Sequence, residues 1–300
     1  MSGLTLGKAP TQEHVQTFED RGFVVIDDVL SQDELDRYGE AVDEAVTKRT
    51  RWDKRKLKDR SLYEQSFRQC INLWEDAPAV RPLTFHPRIG RTAAALIRAE
   101  AVRIWHDQAL YKESDGRETD PHLDHDYWAI EEPRTVTAWI PFDGSTETTG
   151  AMGYVPGSHK FDITKIANIF TGRGFDLEDG DEARGVAPEF INVPRGSVAF
   201  HHGRTIHLAH PNQSDQTRRV HTVIFFADGC TRRDAKHPSV DRMDIPVGAP
   251  IRGPVTPIAW PLRDGRFPDP PPLPDPLRPG WPGWPKASPD WEPNNVSGGR

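Results

Sequence analysis

The sequence predicts an antiparallel β core with flanking helices, an α+β arrangement that closes or sandwiches around a pocket. Three observations predict it. Residues 102–112, 135–142, 150–155, 196–201 and 219–227 are short apolar runs separated by turn residues, and runs of this kind are strands. No long helical period falls between them, which argues against the alternating strand and helix of a parallel sheet. Helical periods lie ahead of the series, so helices flank the core.

Residues 11–20 predict a short helix, and the apolar run Gly22-Phe-Val-Val-Ile-Asp27 predicts a strand. Ser31 followed by Glu34 is a capping box that opens a second helix. Eight basic residues (Lys48, Arg49, Arg51, Lys54, Arg55, Lys56, Lys58 and Arg60) then crowd one segment. A solvated loop or helix face is the expected role, ahead of a patch that attracts an anionic substrate tail. Residues 72–100 predict an extended lead-in to a helix over 87–98, rich in alanine and leucine. Residues 161–188 carry the acidic run 176–182 and no apolar period, so they form either a lid over the pocket or a disordered surface loop.

The chain divides into one domain over residues 1–250 and a tail over 251–300. Within the domain, 1–100 is the helical and strand-bearing front part and 101–230 the β core. Half of the 28 prolines and four of the nine tryptophans lie in residues 252–300. Proline fixes φ and removes a backbone donor, so this stretch runs extended. Disordered segments are poor in tryptophan. The tail is therefore expected to wrap the domain, with Trp260, Trp281, Trp284 and Trp291 as anchors.

A formal net charge of −7 gives no basic surface for nucleic acid. Cys70 and Cys230 are too few for a disulfide framework, and the start Met-Ser-Gly-Leu-Thr-Leu-Gly-Lys lacks the charge and apolar core of a secretory signal. No stretch reaches the length of a membrane span. The expected setting is the cytoplasm, with a small molecule as partner and neither nucleic acid nor membrane.

The chemistry-bearing residues lie in Pro121-His-Leu-Asp-His-Asp-Tyr-Trp128 and in the segment from Gly196 to Arg218. A lone His-x-Asp carries little weight. If residues 121–126 are extended, however, side chains two apart share a side, so His122 and Asp124 converge, Asp126 joins them and His125 points away. The second segment offers His201, His202, His207 and His210. His207 is the choice, because it precedes a polar turn from which Arg218 starts a returning strand, bringing a guanidinium beside the imidazole. Two histidines and one carboxylate on one face of an ion, with positions open opposite, suit ferrous non-haem iron. The nearby arginine suits a carboxylate held bidentately. Taken singly, each histidine reads as an ordinary hydrogen-bonded residue and Arg218 as a salt-bridge partner. The conjunction carries the argument.

From residue 11 to about 229 the chain resembles the phytanoyl-CoA dioxygenase family of Fe(II)/2-oxoglutarate-dependent oxygenases. The resemblance rests on the front helix and Gly22-Phe-Val-Val-Ile strand, Asn72-Leu-Trp-Glu, Gln108-Ala-Leu-Tyr-Lys112, His122-Leu-Asp124 with Tyr127-Trp128, Trp139, Gly150 leading to Pro156-Gly-Ser-His159, and His207, Asn212 and Arg218 in order. It implies a double-stranded β-helix, a jelly-roll or cupin-like fold. It implies that His122, Asp124 and His207 ligate iron and that Arg218 grips the far carboxylate of 2-oxoglutarate. Gln108 and Trp139 fall where the family places further co-substrate contacts, with Lys112 a weaker candidate. A small hydroxylated residue common in the family is Ala209 here, so Thr137 is the expected substitute donor. Pro156 to His159 and Asn212 shape turns.

The resemblance further implies the reaction: O2 is consumed, 2-oxoglutarate becomes succinate and CO2, and an unactivated C–H of a small metabolite is hydroxylated, desaturated or cyclised. Asp124 argues against halogenation, since related halogenases carry alanine or glycine there. Two rival classes are a metal- or ligand-binding jelly roll without catalysis, and a zinc hydrolase or isomerase using the same ligands. Oxygen uptake coupled to succinate release and dependent on ferrous iron separates all three.

Overall fold

The computed structural model describes residues 9–163, 167–177 and 185–272. Helix α1 (Gln12–Arg21) leads into β1 (Phe23–Ile26) and α2 (Gln32–Thr50). Thr11 caps α1, and at α2 Ser31 accepts from the Glu34 amide while Glu34 reaches back to the Ser31 amide, as the capping box predicted. Where an extended lead-in was expected after residue 72, the chain instead forms two short helical turns, α4 (Leu73–Asp76) and α5 (Arg81–Thr84), preceded by α3 (Leu62–Ser66) and the strand β2 (Arg68–Ile71). Helix α6 (Pro87–Leu96) follows, with Pro87 at its first position, where the missing N–H costs nothing.

The five expected core strands form as β3 (Val102–Lys112), β5 (Thr135–Pro141), β6 (Met152–Tyr154), β8 (Val198–His202) and β10 (Arg218–Ala227). Four short ones join them: β4 (Thr119–His122), β7 (Glu189–Ile191), β9 (His207–Ala209) and β11 (Ile258–Trp260), with α7 (Pro238–Asp241) before the last. One antiparallel sheet has the order β1-β8-β5-β10-β3-β11, with β2 also on β3, and the other has the order β4-β9-β6-β7. They face each other as a double-stranded β-helix, with Phe23, Trp139 and Val220 of the large sheet meeting Met152, Tyr154 and Ala209 of the small one.

Strand alternation assigns the two faces of the large sheet. Val136, Ala138, Ile140, Val223 and Phe225 point outward to pack on Phe18, Leu35, Val42, Ile89 and Ala93 of the helices. Each such fully buried Leu, Ile or Phe contributes about 1.5–3 kcal/mol. Thr137, Trp139, Arg218 and Thr222 fall on the opposite face and line the interior cavity. A bulge interrupts the β3–β10 pairing: Ile224 faces His106 while the next residue, Phe225, faces Ile104. Trp105 is thus the extra residue, and the parity switch lets Ile104 pack under the helices while His106 lines the cavity.

The basic segment is not a solvated loop throughout. Arg49 bonds Asp76 and the carbonyls of Ile71 and Asn72, Arg55 pairs with Asp53 and Glu64, and Arg60 is buried against Glu113. Of the expected tail anchors, Trp260 pairs through β11 with β3 and packs on the helix-covered core. Trp281, Trp284 and Trp291 lie outside the described residues, as does most of the acidic run at 176–182. No helix among the described residues is long and apolar enough to cross a membrane. Cys70 and Cys230 are both buried.

Candidate metal centre

The interior cavity holds about 440 Å³. On its small-sheet side, His122 at the end of β4 is the direct cross-strand partner of His207 at the start of β9, and their rings lie 4.2 Å apart. Pro121 is tolerated because β4 is an edge strand and needs no donor there. Leu123 keeps the chain extended, and Asp124 then opens a one-turn 3-10 helix to Tyr127. The expected extension over 121–126 therefore stops early: Asp124 still converges with the histidines, but Asp126 does not line the cavity.

Ligand atoms of His122, Asp124 and His207 all lie within 4.8 Å of one another. The carboxylate Oδ1 of Asp124 is 3.8 Å from His122 Nε2 and 3.7 Å from His207 Nε2. On the far side of each ring, Nδ1 meets a backbone carbonyl, that of Asp120 at 2.8 Å and that of Thr205 at 3.0 Å. A neutral imidazole that donates through Nδ1–H keeps its Nε2 lone pair free, so both lone pairs are committed to the shared point. This donor set fits a divalent ion of the first transition row.

Burial lowers both rings, His207 to about 3, and keeps them neutral. Burial works to raise Asp124, but His207 and a hydrogen bond from His201 outweigh it and hold the carboxyl well below its ordinary range. His201, on β8, is a neighbour that sequence reasoning passed over. The Tyr154 hydroxyl donates to its Nδ1 at 3.3 Å, leaving Nε2–H to donate to Asp124 Oδ2 at 3.4 Å. Thr137 donates to the same oxygen at 3.3 Å. Thr137 thus orients the carboxylate, where a co-substrate contact was expected of it.

These burial effects set the acid response. His106, His125, His202 and His207 are depressed to about 4, 4, 3 and 3, all chiefly by burial. Unfolded histidine titrates near 6.5, so below that pH the unfolded chain takes up protons that the folded one refuses, and stability falls. Asp126, raised to about 6 by burial, opposes this between pH 6 and 4. Four histidines outweigh one aspartate, so the melting temperature of the metal-free protein should drop steadily from about pH 6.5 downward. Thermal melts across pH 4.5–8 check this, and a flat profile contradicts it.

Arg218 begins β10 and His207 begins β9, yet these strands belong to different sheets. The expected hairpin neighbourhood is therefore corrected: the two side chains line one cavity from opposite walls. The Arg218 guanidinium lies 5.3 Å from the Trp139 ring centre and donates to the Gly150 carbonyl, while its Nε is buried without a partner. Burial draws it down to about 10. Its cross-strand partner Lys112 is also buried, lowered to about 6 by burial and by Arg218, and donates to the Arg117 carbonyl. At about 6 the Lys112 amine is largely uncharged at neutral pH, so Arg218 is the charged group here, and among the described residues it has no carboxylate partner. An unpaired buried cation is costly, so this end of the cavity suits an anion. Lys112 does not itself line the cavity.

Gln108, Thr222 and Trp139 occupy one rung across β3, β10 and β5, between the arginine and the metal ligands. Gln108 accepts from Gln69 at 2.6 Å, and the buried Thr222 hydroxyl, which sequence reading missed, has no partner. Gly150 closes this end with φ +92. A Cβ there would stand 2.9 Å from the His210 carbonyl, 3.1 Å from Lys112 Cδ and 3.4 Å from the Arg218 guanidinium. Gly150→Ala should therefore cost about 1–3 kcal/mol in stability and shift the arginine. Thermal melts and the KM for the anionic ligand would both register it.

The sequence profile of the phytanoyl-CoA dioxygenase family matches residues 18–220. A probable alpha-ketoglutarate-dependent hypophosphite dioxygenase from Stutzerimonas stutzeri is 31% identical over 132 residues, 43% of this chain and 46% of that protein. Phytanoyl-CoA dioxygenase domain-containing protein 1 of Mus musculus is 26% identical over 156 residues, 49% of this chain and 52% of that protein. The match thus spans about half the length of these two relatives. Among solved structures, the non-heme alpha ketoglutarate dependent carbocyclase SnoK from nogalamycin biosynthesis aligns with a TM-score of 0.72 and 28% identity, covering 86% of this chain and 99% of that one.

Proposed function

This chain belongs to the phytanoyl-CoA dioxygenase family, and from that premise we propose that it is an Fe(II)/2-oxoglutarate-dependent oxygenase acting on an unactivated C–H of a small molecule. The observation that carries the proposal is the pairing of two features in one cavity. At one wall, His122, Asp124 and His207 direct free lone pairs and a carboxylate to one point. At the closed end, Arg218 is a buried cation lacking an anion.

His122, Asp124 and His207 hold the iron, and Arg218 holds the remote carboxylate of 2-oxoglutarate, with Trp139 and Gln108 flanking the co-substrate. Iron, 2-oxoglutarate and O2 together supply the oxidant, with succinate and CO2 as by-products. The chain's own residues do the positioning. Thr137 and His201 fix the carboxylate of Asp124, the carbonyls of Asp120 and Thr205 fix the two imidazoles, and Trp139 stacks on the arginine. The rings of Tyr63, Tyr127 and Phe170 pack at 4.6 and 5.8 Å and wall the cavity on the substrate side, which excludes water.

The test is succinate release and oxygen uptake across a panel of small metabolites, with and without Fe(II). Iron-dependent succinate formation stimulated by a panel member supports the proposal. Turnover with zinc, or none with iron and co-substrate under any panel compound, favours the zinc-hydrolase or non-catalytic alternatives.

A further inference from the structure

The substrate side of the cavity carries a polar feature that neither the metal nor the co-substrate uses. The bulge at Trp105 turns His106 inward, onto the rung that also holds Ile224 and Thr137. His106 is thus two strands, roughly 10 Å, across the sheet from the residue that bonds Asp124. The His237 ring, at the N-cap of α7, stacks on the Trp105 indole at 4.4 Å and lies near-parallel to the His106 imidazole at 6.1 Å, with interplanar angles of 28° and 15°. Both imidazoles line the cavity.

The tautomer of His237 is set by its surroundings. The Ser239 amide donates to its Nδ1 at 3.1 Å, so the ring proton of the neutral form sits on Nε2. That bond is the one hydrogen bond on the His237 ring among the described residues. His106 Nδ1 is buried and makes no hydrogen bond of good geometry among the described residues. Burial keeps both rings neutral, His106 lowered to about 4 and His237 well below its ordinary value. Unpartnered polar atoms are rare in folded interiors and ask for an explanation, of which a ligand is one. The arginine that would hold the co-substrate does not supply it, since Arg218 lies six residues along β10 from Ile224, the cross-strand partner of His106.

We propose that His237 and His106 form a bidentate receptor for a hydroxyl group of the substrate. The oxygen accepts from His237 Nε2–H, and its own proton goes to the unprotonated nitrogen of His106. A hydroxyl both accepts and donates, so it can satisfy the Nε2–H of His237 and a bare nitrogen of neutral His106 at once. A carboxylate would leave His106 without a donor, and an ammonium would leave His237 without an acceptor. The substrate class is therefore a neutral alcohol with an apolar body that rests on the Tyr63, Tyr127 and Phe170 wall. The inference rests on reading this cavity as the substrate chamber.

The test compares benzyl alcohol with its near-isostere ethylbenzene, titrated calorimetrically into the full chain, both metal-free and loaded anaerobically with Fe(II) and 2-oxoglutarate. His237→Phe keeps the stack on Trp105, and His106→Phe is an independent second variant. In each, the ratio of the two dissociation constants should move by about tenfold or more toward ethylbenzene, the size expected for a lost hydrogen bond. Nitrogen chemical shifts of the wild-type His237 ring should respond to benzyl alcohol and not to ethylbenzene. A ratio that moves by less than about twofold in both folded variants, or a His237 ring blind to the alcohol, overturns the receptor. Failure to load iron would instead overturn the proposed oxygenase function, and the metal-free titration still decides the hydroxyl site.

Discussion

Asp124→Ala will abolish iron-dependent succinate release, lowering turnover by at least about 10³-fold, equivalent to roughly 4 kcal/mol in the barrier. The reason is local. Asp124 is the one carboxylate among the three groups that share the metal point, and its Oδ1 sits 3.7–3.8 Å from both histidine Nε2 atoms. Without it, two neutral imidazoles remain, and the charge balance and the facial arrangement for a ferrous ion are both lost. The same change strips His201 Nε2–H and the Thr137 hydroxyl of their acceptor. An orphaned buried donor costs about 1–3 kcal/mol, so the apo protein should also melt earlier. Iron affinity measured by calorimetry checks the assignment: Asp124→Ala that still binds one ferrous ion as tightly as the parent would remove Asp124 from the ligand set.

Arg218→Met should do the opposite to stability while removing co-substrate binding. A salt-bridge arginine stabilises the fold, and its loss weakens it. Arg218 has no carboxylate to bridge, its Nε is buried and unsatisfied, and burial has already lowered it to about 10. Removing an uncompensated buried charge relieves its desolvation cost, which offsets the lost bond to the Gly150 carbonyl and the contact with Trp139. The metal-free variant should therefore melt at or above the parent temperature. Its affinity for 2-oxoglutarate should fall by about 10²-fold or more, because truncating one partner of a buried charge pair costs about 2–5 kcal/mol. A variant that is less stable yet binds 2-oxoglutarate normally would make the arginine structural.

Long strands were legible in the sequence and short ones were not. β3 runs over the residues expected of it and β10 begins one residue earlier, because ten or more residues with an apolar outer face leave a clear pattern. Thr119-Asp-Pro-His122, Glu189-Phe-Ile191 and His207-Leu-Ala209 are too short and too polar to alternate visibly, and their pairing comes from the small sheet as a whole. Their absence hid the division into two sheets, which is why His207 and Arg218 were expected on neighbouring strands and instead face each other across the cavity. His122, Asp124 and His207 stood out because the residue types are chemically distinctive. His201, Thr222 and His106 did not, since their places depend on cross-strand register and, for His106, on a one-residue bulge.

The central claim is that one cavity binds iron through His122, Asp124 and His207 and then binds 2-oxoglutarate through iron and Arg218 together. Anaerobic calorimetry of the metal-free protein, titrated first with Fe(II) and then with 2-oxoglutarate, tests it most directly. The account predicts one ferrous ion per chain, followed by one 2-oxoglutarate whose binding requires the iron and is lost in Arg218→Met. Binding of 2-oxoglutarate that is indifferent to both the iron and the arginine would contradict it.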